Sequence, residues 1–228
     1  MDDVMPISTL AALEHIGLVS HGRRVLDDVE LAVAAGETVV VQGDNGAGKS
    51  LLLRVIAGLA RASEGRVRLF GSDMSGAGPA SWAAARRRMG IAFQNGGLLN
   101  ELTVAENIAY PLLMAENRPS PRAVASKLEH ALISAGLYRV ADALPWQLSS
   151  GQVRLTALAR ATVADPELVL LDDLFAGLDD DAALEMEQRF LASRNPTAGV
   201  LLLTSEAARA ERCADRRLRL ELGVLRGP

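Results

Sequence analysis

Cysteine is almost missing from this chain of 228 residues: Cys213 stands alone. No internal disulfide can form, and a reducing compartment is expected. Long apolar runs are missing as well, and none approaches the roughly 20 residues that cross a bilayer. The acidic start, MDDVMPIS, has neither the basic region nor the apolar stretch of a secretion signal. A soluble protein of the cytoplasm is therefore expected, whose contact with a membrane would need a partner. Positive charge is not in excess either. A formal charge of −4 speaks against nucleic-acid binding through a general basic field. The basic clusters Arg86-Arg87-Arg88 and Arg216-Arg217 read as solvated edges. No internal repeat or low-complexity tract appears, nor a second set of the motifs below, nor a long basic linker.

What the chain does have is apolar content, 49% of its residues, enough for a sizeable core without metals or disulfides. Residues 1–8 read as a loose leader. Strands are expected over Ala11–Val19, Val25–Val33, Thr38–Gln42, Arg66–Phe70, Met89–Gln94, Leu168–Leu171 and Gly199–Thr204, with a last hairpin beginning at Leu218–Leu220. TVVVQ (38–42), LVLL (168–171) and GVLLLT (199–204) are continuous apolar runs, the pattern of strands buried on both faces. Helices are expected over Ser50–Ala60, over 82–89 with Ser81 as N-cap, over Val153–Ala164 and over Ala182–Ser193. Residues 72–80 read as loop. From about 95 to 150 the composition turns helical, with Pro111, Pro119, Pro121 and Pro145 as punctuation. Strands alternating with helices predict an α/β fold on a mostly parallel sheet. One domain over 1–228 is expected, with a helical lobe inserted at 95–152.

Three motifs carry chemistry. GDNGAGKS, Gly43–Ser50, fits G-x-x-x-x-G-K-S/T between a buried strand and a helix. Gly43, Gly46 and Gly48 let backbone N–H groups wrap around phosphate oxygens, with Asp44, Asn45 and Ala47 between them. The helix start adds its dipole. Lys49 brings a mobile positive charge to the outer phosphates, and the Ser50 hydroxyl suits Mg²⁺. LVLLDD delivers Asp172 to the C-terminal end of a buried strand, where ligands sit in open α/β sheets. LSSGQ, Leu148–Gln152, precedes a helix. Ser149 and the N–H groups near Ser150, Gly151 and Gln152 offer a second anion site, although a plain N-cap explains Ser149 or Ser150 equally well.

In this order, with Gln94 after a short strand and AGLD at Ala176–Asp179, the chain resembles ABC-type ATPases over nearly its whole length. The resemblance implies a P-loop, RecA-like core with antiparallel N-terminal strands, binding ATP and Mg²⁺ and working as a dimer. LSSGQ of one chain would cap the phosphates held by Gly43–Ser50 of the other. Gln94 would approach the metal beside Ser50 and Asp172, Asp173 would act on the attacking water, and Asp179 would report across the dimer. His21 falls where the family often stacks an aromatic on adenine; an ordinary turn residue is the other reading. The implied partners are transmembrane permease subunits and a second copy or a different ATPase chain, at the inner face of the cell membrane. Residues 91–113, IAFQNGGLLNELTVAENIAYPLL, are similar to ATPases of Mce/Mla-type phospholipid trafficking, which implies a lipid-binding Mce-type partner. There Leu98, Leu99 and Leu102 either face a permease helix or pack the helical lobe.

The chain departs from that family in four places. Asp173 stands where a glutamate is usual, and Leu174 where proline follows it. Ser205 replaces the usual histidine behind Thr204, and Leu51 replaces a second hydroxyl. The signature reads LSSGQ rather than LSGGQ. Tight nucleotide binding with slow hydrolysis is the expectation, in a transporter subunit or, in the alternative reading, in a soluble regulatory or assembly ATPase or a nucleotide-sensing module with little turnover.

Overall fold

Three apolar runs lie side by side at the centre of a computed structural model that describes residues 8–115 and 117–227. They are β3 (Thr38–Gln42), β7 (Leu168–Asp172) and β8 (Gly199–Thr204). β3 pairs with β8 and β8 with β7, all parallel, and β6 (Met89–Ala92) extends the sheet beyond β7. On the other side β9 (Arg216–Glu221) lies parallel to β3, and β10 (Val224–Arg226) returns antiparallel. The order is β10-β9-β3-β8-β7-β6.

Strand periodicity explains why the central runs are apolar throughout. Val39, Val41, Leu168, Leu170, Leu201 and Leu203 enter the core on one face, while Val40, Val169, Leu171, Val200 and Leu202 enter the core on the other. The first face is covered by α1 (Lys49–Ile56) and by a second, antiparallel sheet of β1 (Thr9–Ser20), β2 (Arg23–Ala34), β4 (Glu64–Leu69) and β5 (Ser72–Asp73), ordered β2-β1-β4-β5. The second face carries α3 (Val104–Leu113), α4 (Pro121–Ser134), α5 (Ser150–Thr162) and α6 (Asp180–Ser193). A Cβ at Gly90 would collide with the Ala161 carbonyl, so glycine lets α5 press directly onto β6. The parallel core with antiparallel N-terminal strands is as expected.

Several local expectations need correction. Ser81 is not a cap: α2 runs Pro79–Arg87, starting from Gly78 with proline in its first turn. Proline's fixed φ suits that position. β5 lies in the stretch expected to be loop. Pro111 does not break a helix but sits inside α3, whose start is held by a reciprocal Thr103–Glu106 capping box. α1 stops at Ile56, short of Ala60, because the chain turns at Gly58 with φ 67°. α7 (Ala207–Cys213) was not anticipated, and β9 is a full member of the main sheet rather than only half of a hairpin. Residues 95–147 hold α3, α4 and two short 3₁₀ turns, with no strand among the described residues. Apart from Ser8, the expected leader lies outside those residues.

Candidate functional site

β3 ends at Gln42 and α1 begins at Lys49, so the intervening turn sits at the C-terminal edge of the sheet. Gly48 occupies the helix N-cap with φ 104°, a backbone that side chains rarely adopt. It offers no side-chain cap, which leaves the first helical N–H donors to a ligand. Lys49 is buried and curls back, its Nζ donating to the Gly43 carbonyl at 2.7 Å and the Asp44 carbonyl at 3.0 Å. A cation that satisfies itself on its own loop is ready to exchange those carbonyls for anionic oxygens.

An open cleft of about 390 Å³ adjoins this turn, lined by Asn45, Gly46, Gly48, Lys49, Ser50 and Leu51 together with Gln94, Asp172 and Asp173. Three separate strand ends therefore converge on one cleft, whose lining does not include Gly43, Asp44 or Ala47. Val25, from β2, closes the rim. His21 sits exposed in the β1–β2 turn, its ring against the Ser20 hydroxyl at 3.1 Å, and does not line the cleft.

The carboxylates differ in kind. Asp172 is 5% exposed, and its Oδ1 is buried with no hydrogen-bond partner. Burial pushes its carboxyl up from the ordinary value. The Ser50 hydroxyl, Lys49 and Arg54 pull it back down, while Asp173 adds to the rise. An orphaned anionic oxygen beside a serine hydroxyl, with a glutamine across the cleft, is an oxygen donor set that fits a hard divalent cation. Among the described residues no group of three or more His, Cys, Asp or Glu side chains forms a metal cage by itself. Asp173 is 2% exposed and left-handed, φ 49°. Its carboxylate accepts long contacts from the Ser205 amide (3.5 Å) and hydroxyl (3.4 Å). The residue expected to replace the usual histidine thus lies directly against the residue expected to replace the usual glutamate.

The signature residues are elsewhere. Ser149 caps α5 in a reciprocal capping box, accepting from the Gln152 amide at 3.2 Å while the Gln152 side chain accepts from the Ser149 amide at 3.0 Å. Of the two serines left open, Ser149 is the cap. None of residues 149–152 lines the cleft around Lys49. Asp179 likewise caps a helix, α6, through the Ala182 amide at 2.8 Å.

Sequence reasoning missed the residues that hold the Gln94 loop. Asn107, fully buried on α3, binds the carbonyls of Leu99, Leu102 and Thr103 and accepts from the Leu99 amide. Arg160 on α5 donates to the Gly96 and Gly97 carbonyls at 3.0 and 2.9 Å. Arg154, also on α5, buries Nη1 without a partner. Burial lowers its proton affinity and Asp173 opposes that effect. Leu98 packs against the core on the helical side, whereas Leu99 is 40% exposed. Another groove, of about 490 Å³ between α4, α5 and α6, holds none of the motif residues.

Comparison with known proteins agrees with this geometry. The family model for ABC transporters matches residues 26–176. The chain is 38% identical over 172 residues to the sulfate/thiosulfate import ATP-binding protein CysA of Escherichia coli (strain K12), the match covering 74% of this chain and 46% of that protein. It is 38% identical over 204 residues to the methionine import ATP-binding protein MetN of Caulobacter vibrioides, covering 89% and 60%. The chain thus spans about half the length of the curated relatives it matches. Among solved structures, a dimeric bacterial ABC transporter cassette superposes with TM-score 0.86 at 26% identity, covering 95% of this chain and 96% of that one. A dimeric post-hydrolysis cassette bound to ADP and Pi superposes with TM-score 0.85, also at 26% identity and over the same shares. No helix among the described residues is long and apolar enough to cross a membrane. With a phosphate-loop turn, a glutamine and two carboxylates meeting in one cleft of a matching fold, the chain belongs to the ABC transporter family, as its ATP-binding domain.

Proposed function

We propose that the chain is an ATPase subunit that binds Mg·ATP tightly, hydrolyses it slowly and drives a membrane permease. The observation that carries this reading is the cleft in which Lys49, Ser50, Gln94, Asp172 and Asp173 meet while residues 149–152 stay outside it. In the bound state Lys49 leaves its loop carbonyls for the outer phosphates, and the amides at the start of α1 take the remaining oxygens. Ser50 and Asp172 would hold Mg²⁺, with Gln94 facing it, and the ion supplies charge neutralisation to the phosphates. Asp173 orients and deprotonates the attacking water. That carboxylate is one methylene shorter than a glutamate and backed by Ser205 instead of an imidazole, which is the physical reason for slow turnover.

A second chain completes the site. Ser150 and Gly151 at the start of α5, and Asp179 at the start of α6, are the groups we assign to a partner copy's nucleotide. The ABC cassettes that superpose on this chain are described as dimeric. A dimer with a different ATPase chain that supplies an intact glutamate is the variant reading. The protein would sit at the inner face of the cell membrane, held there by permease subunits, with the helices over 95–152 as the lobe that meets them. For the cargo, the wording of residues 91–113 favours a phospholipid or another hydrophobic substrate, with a lipid-binding Mce-type protein as partner. Sulfate/thiosulfate or methionine import, named for the relatives above, is the alternative. Purification from membranes with the associated chains, followed by mass spectrometry of bound lipid, tests this. A permease with co-purified phospholipid supports the lipid reading; a permease whose transport responds to sulfate or methionine overturns it.

A further inference from the structure

Asp173 and Ser205 stand on different loops. Asp173 opens the 173–179 segment that leads into α6, and Ser205 opens the short segment that leads into α7. Two long contacts of 3.4 and 3.5 Å join them, beside the 2.8 Å bond of the Asp173 amide to the Leu203 carbonyl at the end of β8. A tighter connection lies behind them, between α6 and α7. The buried Glu187 carboxylate accepts from Arg209 Nη1 at 3.2 Å and from Arg212 at 2.6 and 2.7 Å. Arg212 is the outer member, its side chain 49% exposed, and Arg209 the inner one, at 10%.

Arg209 does more than pair with Glu187. Its Nη2 reaches Asp180 Oδ1 at 3.7 Å, one residue past the α6 cap Asp179. Its guanidinium lies 5.6 Å from the ring centroid of Phe175, which is buried within the 173–179 segment. One planar group on the helix after Ser205 therefore touches three points of the segment and helix after Asp173. Its Nε stays buried without a hydrogen-bond partner. Stability alone gives no reason for such an arrangement, because buried ion pairs are often replaceable by apolar residues at no loss. Geometry does give one: a rigid fork sets distance and angle together, which an ammonium or an apolar chain cannot.

We propose that Arg209 is a positioning residue for ATP turnover: it ties α7 to α6 and to Phe175 of the 173–179 segment, and thereby sets how Ser205 meets Asp173 and how Asp179 is presented. This rests on the ATPase reading above. The test measures turnover per folded molecule, Mg·ATP affinity and melting temperature for the full chain and for Arg209→Lys, Arg209→Met, Ser205→Ala and Arg209→Met/Ser205→Ala. Arg212→Ala, which loosens Glu187 without touching the 173–179 segment, is the stability control. The expected result is a kcat about tenfold lower in both Arg209 variants, a fraction of the roughly 10²-fold that a full 1 Å misplacement costs, with Mg·ATP affinity held within about twofold. Ser205→Ala should then add little on top of Arg209→Met, because both act through one contact. Arg212→Ala should lower the melting temperature and leave kcat in place. If Arg209→Met does not fold, Arg209→Lys alone decides the kcat question. A wild-type protein with no turnover overturns the ATPase reading and this inference together. An active wild type overturns the inference alone if the Arg209 variants keep its kcat or if the Arg209 and Ser205 effects multiply.

Discussion

Replacing Asp173 by glutamate should speed ATP hydrolysis while weakening the fold, and the opposite signs make the experiment informative. The carboxylate now leans on the Ser205 hydroxyl at 3.4 Å and amide at 3.5 Å, well beyond the roughly 2.7–3.0 Å of good O–H···O and N–H···O bonds. One added carbon–carbon bond of about 1.5 Å moves the carboxylate forward by more than about 1 Å after projection. A 1 Å error in a catalytic group costs on the order of 10²-fold in rate, which is ~2.7 kcal/mol of activation free energy. The folded state would weaken for two reasons. The backbone at 173 is left-handed, which aspartate tolerates better than glutamate, at a difference of about 1 kcal/mol. The site is also 2% exposed, and an extra methylene in a packed site costs roughly 1–3 kcal/mol. Against a typical stability of about 5–15 kcal/mol, the variant remains folded. The assay is steady-state phosphate release at saturating Mg·ATP, beside a thermal melt. A large rise in turnover together with a lower melting temperature is expected. Fast hydrolysis by the wild type, or a folded Asp173→Glu protein that binds Mg·ATP and turns over no faster, would refute the reasoning.

Asp172→Asn should abolish the magnesium dependence of nucleotide binding yet stabilise the nucleotide-free protein. Burial raises the Asp172 pKa in the folded state, so at neutral pH the carboxylate costs stability that an amide does not. That gain should shrink as pH falls through the raised folded value and vanish below the ordinary 3.8; thermal melts between pH 3 and pH 8 check the direction. Glu187→Gln should destabilise by roughly 3 kcal/mol, the low end for a broken buried pair, since it leaves the buried Arg209 guanidinium only Asp180 at 3.7 Å as a charged partner. Because Arg212 foremost holds the Glu187 pKa down, that stabilisation is present above the ordinary 4.5 and is lost as pH drops through the folded value; urea unfolding at pH 7 and pH 3 reads the difference. Cys213 is buried with its thiol pushed up to about 11, so at pH 8 it should alkylate only as fast as the chain unfolds, a rate that mass spectrometry follows.

Where one physical signal dominated, the fold was legible. TVVVQ and GVLLLT match β3 and β8 residue for residue because both faces of those strands are buried, and a strand buried on both faces reads as a short, near-continuous apolar run. The glycine-lysine-serine turn was legible for a similar reason: its backbone demands are narrow. Elements set by two competing signals were misread. Ser81 resembles a cap, but Pro79 starts the helix two residues earlier. Pro111 resembles a stop, but a Thr103–Glu106 box and the buried side chain of Asn107 organise the first turn ahead of it. α7, of mixed Ala and Arg, carries no strong period and is fixed by Glu187 from α6. The same holds at the site. Motif positions could be named one by one, whereas the contact of Ser205 with Asp173, and the grip of Arg160 on Gly96 and Gly97, join residues 32 and over 60 positions apart and had no local signature.

Titration calorimetry with ATP, with and without Mg²⁺, on the wild type and on Lys49→Ala reaches the central claim most directly. Tight, magnesium-enhanced binding by the wild type is predicted, with most of that affinity lost when the ammonium group is removed from the turn. Equal heats in both proteins, or wild-type binding indifferent to Mg²⁺, would contradict it.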